Sequence, residues 1–499
     1  MRFIFTPEFH RNLWTKMSLF KIIAAPIFVG LCMVVLLNIA PEKGPVFNQG
    51  DANQFLMEGS WWLFFLVVAV WGIHDTSTAL QDEMRNNTWD FQRMSSITPF
   101  QLVIGKLFGA TSYAWYVGAL ALLPFWYGLQ NAPMPQFWYA YEDAGSPLLV
   151  VAFMVLGGLA GQAFAFFVSF VDMTSFAART GKKRIPRAVL PFSLGVVVAW
   201  SVFSVSQQLS PKLSQGSSVF INMTDIEWYG TVYNAPTFIG CSLLVYIAWA
   251  LLGSYRIARA ELMYRGWPVC WMGFVAFLLF YLYGLVDPDT AYFSMRIMGL
   301  FMLVLAMTYG VMLFEASDGR RYARFFESIR RGRFLMAVED VHKWVVTVPF
   351  VALMFAMTLA NVPVTGQCIS YGMIVAFMAA LVCFVVRDGL VLHAIIRGSG
   401  RNIAFKALFY YVGVYLMLPA LQFTLMPKEL NFNVLRWMGK AMSCRWHEVE
   451  LPSFVNALGI YFPLPLPNPL YSLAPVAAQV VLAAVWFAWS LRRRDLRKG

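Results

Sequence analysis

The chain has 499 residues, of which 59% are hydrophobic and only 13% charged, with 44 Phe, 18 Trp and a net charge of +12. Soluble domains carry about 25% charged residues, so composition excludes a soluble enzyme or a nucleic-acid-binding protein and leaves a polytopic membrane protein. The positive balance, with a pI near 9.4, is that expected of inner loops rich in Lys and Arg.

Residues 1–20 are amphipathic. Phe9, Leu13, Trp14, Met17 and Phe20 recur at helical spacing, with His10, Arg11 and Lys16 between them. That pattern predicts a helix lying in the membrane interface. The apolar run 22–40 follows and ends at Pro41. It reads as a retained span rather than a cleaved leader. Further apolar runs lie at 61–79, 107–129, 148–172, 188–206, 236–255, 268–286, 295–314, 345–361, 371–386, 407–426 and 471–491. Each approaches the ~20 residues that cross a hydrocarbon core. Twelve spans put both termini on one side, and 31 of the 38 Lys and Arg then fall on that side. The side is cytoplasmic by the positive-inside rule. The basic end, Arg492 to Lys498, is an inner anchor that can touch anionic lipid.

The connector 81–106, QDEMRNNTWDFQRMSSITPFQLVIGK, lies between two of these runs and is too polar to span, yet it is patterned like a folded element. Asn87 or Thr88 can cap a short helix, with Asp90 in its first turn. Trp89, Phe91, Met94 and Ile97 give that helix an apolar side. Thr98-Pro99 reads as a second cap, with Pro at the first helical position of the next span.

The order of Glu83, Thr88, Trp89, Asp90, Pro99, Gly105 and Lys106 between the second and third spans resembles the coupling-helix segment of ABC-2-type transporter permeases. The family usually has Gly-Thr where this chain has Asn87-Thr88, a mild change because Asn also tolerates turn conformations. The N-terminal interfacial helix fits the same resemblance. It implies that the segment docks into a separate ABC ATPase (nucleotide-binding) subunit. Trp89, Phe91 and Met94 would fill an apolar groove on that partner. Glu83, Asp90 and Arg93 would make polar contacts at the groove's rim, and Lys106 would anchor the third helix at the lipid surface.

The implied fold class is an all-α polytopic membrane protein. It has about 12 transmembrane helices in two six-helix halves, 1–256 and 257–499, with short interfacial and coupling helices and no soluble domain. The halves repeat in topology: each has its longest outer loop between the fifth and sixth spans, at 207–235 and 427–470. Parallel repeats of this kind place a pathway at their interface. The second inner loop, 315–344, carries six Arg and a possible helix with Tyr322, Phe325, Phe326 and Ile329 on one side. A second coupling element and a plain basic connector both fit it. In the loop 427–470, an amphipathic stretch 434–442 precedes a Pro-rich end.

Little chemistry is visible. Gly105-Lys106 lacks the phosphate-loop context, so no cofactor is expected and any ATP would be bound by the partner subunit. The five His residues show no metal spacing, and His447 with Glu448 and Glu450 reads as a solvated cluster. Among the six Cys, a Cys368–Cys444 bridge is left open. His74, Asp75, Asp172, Arg256, Arg296 and Asp388 fall near predicted span ends and read as interfacial. No central charge relay emerges, which argues against a secondary transporter. Gly157, Gly158 and Gly161 give the small-residue spacing of close helix packing.

The reading is therefore a non-enzymatic permease subunit of a bacterial inner-membrane exporter, working by alternating access, with an ATPase partner and surrounding lipid. One fused chain or a homodimer would both serve. The alternative is a secondary carrier or a membrane-embedded enzyme.

Overall fold

The computed structural model describes residues 7–39, 52–95, 97–132, 147–180, 188–209, 225–262, 264, 269–286, 293–314, 319–361, 371–398, 403–418 and 469–495. The described residues are about 90% helical and carry no soluble sheet domain. The chain divides into two compact units, Met1–Gly266 and Trp267–Gly499. The division falls beyond the helix Ala235–Glu261, not inside it at 256.

The first unit opens with α1 (Pro7–Lys16) and α2 (Leu19–Ile39). The two are bent 61° apart, as expected where an interfacial helix turns into a span. α3 runs from Ala52 to Arg85 and α4 is the six-residue helix Trp89–Met94. α5 (Pro99–Asn131), α6 (Pro147–Thr180), α7 (Val189–Gln208) and α8 (Ala235–Glu261) complete the unit. A two-stranded hairpin, β1 (Ile226–Trp228) and β2 (Thr231–Tyr233), precedes α8. Its two-residue turn, Tyr229-Gly230, has positive φ at both positions (51° and 74°), the geometry that matches the twist of paired strands. The apolar periodicity of 207–235 carried no signal for this hairpin.

The core of the first unit is aromatic. Trp61, Phe64, Phe65, Phe125, Phe153 and Phe203 are buried together. The glycines of α6 have the role their spacing suggested. A Cβ at Gly161 would lie 2.8 Å from the carbonyl oxygen of Gly195, so α6 and α7 pack backbone to backbone. Within α3, Phe65–Trp71 is π-helical, which leaves its carbonyls imperfectly matched to the following turn. Gln162 of α6 supplies a donor there, its Nε2 donating to the carbonyl of Val68 at 2.9 Å while its Oε1 accepts from Trp115 Nε1 at 2.9 Å. Gly72 makes the room, since a Cβ there would meet Gln162 Nε2 at 2.4 Å.

The second unit contains α9 (Val269–Tyr283), α10 (Phe293–Phe314), α11 (Gly319–Arg330), α12 (Phe334–Asp340), α13 (Lys343–Asn361) and α14 (Tyr371–Gly398). α15 (Ile403–Val412) continues into the π-helical stretch Gly413–Met417, and α16 spans Pro469–Asp495. Its core is rich in Met: Met312, Met354 and Met378 pack with Phe301 and Val304. α11 is the helix expected in the second inner loop. It ends at Gly332, with φ 68°. There the N–H of Arg333 donates to Ser328 at 2.8 Å and that of Gly332 to Ile329 at 2.9 Å, a Schellman cap.

Among the described residues, each of the twelve apolar runs lies at least in part on a helix. Among those same described residues, seven helices are long and apolar enough to cross a bilayer, or eight if the bent pair α1–α2 forms one span. The apolar cores of α9, α10 and α16 are shorter than a full span, and the run 407–426 continues beyond the described residues. The Pro-rich loop, the stretch 434–442, the His447 cluster, Cys368, Cys444 and Arg492 to Lys498 at the side-chain level also lie outside them.

Candidate functional site

The connector between α3 and α5 is built by three local devices. α3 ends in a Schellman cap: Asn87 sits in the left-handed region (φ 56°), the N–H of Thr88 donates to Glu83 at 2.9 Å and that of Asn87 to Met84 at 3.4 Å. Asn substitutes here for the Gly usual at such a position. Thr88 stands at the start of α4, but its hydroxyl donates back to the Glu83 carbonyl at 3.2 Å instead of capping the helix. α5 then starts with a full capping box between Thr98 and Gln101, with Pro99 in the first turn. The second cap is the one the Thr-Pro step predicts.

These devices aim Glu83 inward. Its carboxylate accepts from Gln92 Nε2 at 2.6 Å and is ion-paired with Arg11 and Lys106. Lys106 Nζ also reaches Glu8 at 3.1 Å, and Arg11 reaches Glu8 at 2.7 Å. Lys106 and Glu8 are buried, 1% and 3% exposed, whereas the Arg11 side chain is 46% exposed. Two carboxylates and two cations cancel, which is what lets the cluster sit away from water. Asn12 completes the lock, its Nδ2 donating to Glu8 at 3.2 Å and to the Gly105 carbonyl at 3.4 Å. A Cβ at Gly109 would meet Asn12 Cβ at 2.7 Å, so α1 lies directly on α5. Lys16 further pairs with Asp75 at 3.0 Å.

The expected apolar side of α4 is split. Trp89 is 4% exposed and packs inward with Leu80, Leu102, Phe166 and Phe170. Lys106 Nζ lies 5.9 Å from its ring. Phe91 and Met94 point out, 74% and 80% exposed. Asp90 is exposed on the same outer side, and Arg93 Nε donates to the Glu261 carbonyl at the end of α8, 3.0 Å away. Three expectations are therefore corrected. Trp89 is a core anchor, because its ring completes the cluster under the helix. Glu83 is an internal hub rather than a rim group. Lys106 is held by two carboxylates inside the protein and not at the lipid surface. Glu8, Asn12 and Gln92 were not anticipated. Glu8 and Lys106 are 98 positions apart, and no periodicity links them.

The second unit holds a charged site built around Asp388, a residue expected near a span end. Arg387 and Asp388 are 3% and 1% exposed and lie inside the apolar window Val375–Ile395 of α14. The helix runs on to Gly398, well past the predicted end at 386, so the pair sits within the span. Arg387 Nε donates to Asp388 at 2.8 Å. Three tyrosine hydroxyls donate to the same carboxylate: Tyr309 at 2.8 Å, Tyr410 at 2.8 Å and Tyr415 at 2.5 Å. Arg387 also donates to Gln479 of α16 at 2.5 Å and to the Tyr415 hydroxyl at 2.6 Å. Its guanidinium lies 4.6 Å from the Phe384 ring centre. The absence of a buried charge site inferred from sequence is thus corrected: adjacent Arg and Asp near an apolar boundary looked like an end because the run was read one turn or more too short.

No group of three or more potential metal ligands occurs among the described residues. Compared with known proteins, the chain matches no family model, no curated protein and no solved structure.

Proposed function

We propose that the chain is the membrane-spanning permease subunit of an ABC-2-type exporter in a bacterial inner membrane. It crosses the bilayer twelve times with both termini in the cytoplasm, and a separate ATPase subunit drives it. The observation that carries this reading is α4. It is a short helix between two spans that turns a bulky apolar pair, Phe91 and Met94, outward. Its other face is held by Gln92, which donates to Glu83, and by the buried Trp89, and Glu83 is itself tied by ion pairs to α1 and α5. An exposed apolar pair on a rigid mount suits docking. A push on α4 passes to α3 through Glu83 and to α5 through Lys106 without being absorbed by a loose loop. The ATPase contact is thus assigned to Phe91, Met94 and Asp90, with Glu83, Trp89, Arg93 and Lys106 holding the mount.

The test is co-purification of the tagged chain with an ATPase subunit bearing a phosphate loop, expressed beside it. Phe91→Ser with Met94→Ser is expected to abolish the association while the chain stays folded. Retention of the ATPase by that double variant, or no association by the wild type, would remove the proposal.

A second reading, a secondary carrier, is favoured by the Arg387–Asp388 pair, since ionisable groups inside spans commonly mark transport pathways. Transport that an uncoupler abolishes and ATP depletion spares would select it.

A further inference from the structure

The Arg387–Asp388 site is more than a polar inclusion. Four helices converge on it: α10 brings Tyr309, α14 the pair itself, α15 with its π-helical end Tyr410 and Tyr415, and α16 Gln479. Apolar side chains of similar volume would hold four helices together at least as well, because a buried ion pair seldom repays its desolvation. A charge in the middle of an apolar span carries a further insertion cost. The arrangement therefore needs a reason other than stability. The hydrogen bonds give one. Apart from Arg387, the donors to Asp388 among the described residues are tyrosine hydroxyls from other helices, and hydroxyls can be exchanged for water or for polar groups of a ligand.

We propose that the pair is a latch of the second unit. In the structure described here it is closed, with α15 held to α14 by Tyr410 and Tyr415. Opening moves α15 away, and Arg387 and Asp388 then line a polar passage alongside α14, their lost hydroxyl partners replaced by water. Two features place the moving part on α15. Tyr415 lies in the π-helical stretch Gly413–Met417, a backbone form frequent at functional sites. The residues that follow Tyr415 in the chain, Leu416, Met417 and Leu418, are exposed. The inference rests on neither of the two transport readings, since it concerns the unit's own motion.

Cys383, half-buried and one helical turn ahead of Arg387, is a built-in reporter. The experiment uses the full chain with Cys383 as its sole cysteine, reconstituted in vesicles, and measures the rate of its reaction with a small water-soluble, membrane-impermeant thiol reagent. No substrate or nucleotide is needed. Tyr410→Phe removes one hydrogen bond to a charged group and Tyr415→Phe removes two, and each is expected to speed labelling by about tenfold or more, the equivalent of about 1.4 kcal/mol. Tyr411→Phe, which removes a ring hydroxyl stacked beside Tyr415 but not one of the three donors, is expected to leave the rate unchanged. The apolar double variant Arg387→Leu/Asp388→Leu keeps the helices packed without a polar lining, and its labelling is expected to fall below wild type. Equal rates in the wild type and both tyrosine variants would overturn the latch, as would a double-leucine chain that labels like wild type; either makes the cluster a static post.

Discussion

Replacing Lys106 by Met removes the ammonium that faces both Glu8 and Glu83 and leaves an apolar chain of similar length. The two carboxylates then share only Arg11, whose side chain is 46% exposed and is correspondingly screened. Breaking a buried pair by removing one partner costs about 3–5 kcal/mol, mostly from the stranded charge. At about 2–4 °C per kcal/mol for a unit of this size, the thermal midpoint should fall by about 6–20 °C. The assay is thermal unfolding of the purified chain in detergent, followed by tryptophan fluorescence. A second variant separates stranded charge from lost packing. Lys106→Met combined with Glu83→Gln removes one charge of each sign, and should recover roughly half of the loss through coupling of about 2 kcal/mol. If Lys106→Met melts within a degree or two of wild type, Lys106 is a dispensable surface anchor and the buried cluster is not what fixes α1 to α5.

Trp89→Ala, which empties a site in the cluster of Leu80, Leu102 and Phe170, should cost about 3–5 kcal/mol. Phe91→Ser and Met94→Ser, both at exposed positions, should stay within about 0.5 kcal/mol; denaturation curves of the three variants check the contrast. Asn87→Gly should leave stability unchanged or slightly raised, and Asn87→Val should lower it by about 1–2 kcal/mol, because a β-branched residue does not accept the positive φ found there. Gln162→Leu strips the partner from the Val68 carbonyl and from Trp115 Nε1, at about 1–3 kcal/mol for each group left unsatisfied. Amide exchange across Phe65–Trp71 should then quicken; unchanged protection would mean the π-helical stretch does not depend on that side chain.

The parts of the connector legible in advance were those set by neighbours in sequence. Thr98-Pro99 with Gln101 three residues after Thr98 is a helix start wherever it occurs, and the structure has it. Asn87-Thr88 marked a turn, although its cap proved to be the end of α3 and not the beginning of α4. The facing of α4 was not legible. With six residues a helix makes under two turns, and Trp89, Phe91 and Met94 are each apolar enough to go either way; the floor offered by Phe166 and Phe170 of α6 decided that Trp89 goes in. Asp388 was misplaced for a related reason, and its neighbour Arg387 was not singled out. A hydropathy window stops at the first pair of charges, and only the hydroxyls of Tyr309, Tyr410 and Tyr415 make it possible for those charges to continue inside.

Composition and the spacing of apolar runs determined that this is a helical chain with several helices long and apolar enough to cross a membrane, because a hydrocarbon layer demands helices of a set length and leaves few alternatives for the backbone. Local patterns determined where helices begin and end. The tertiary structure alone decided which polar groups are buried and with whom: Glu8 with Lys106, Gln162 with Val68, Asp388 with three tyrosines. A charge can enter a low-dielectric interior only when its counter-charge and donors arrive together, and those partners are brought by helices far apart in the sequence.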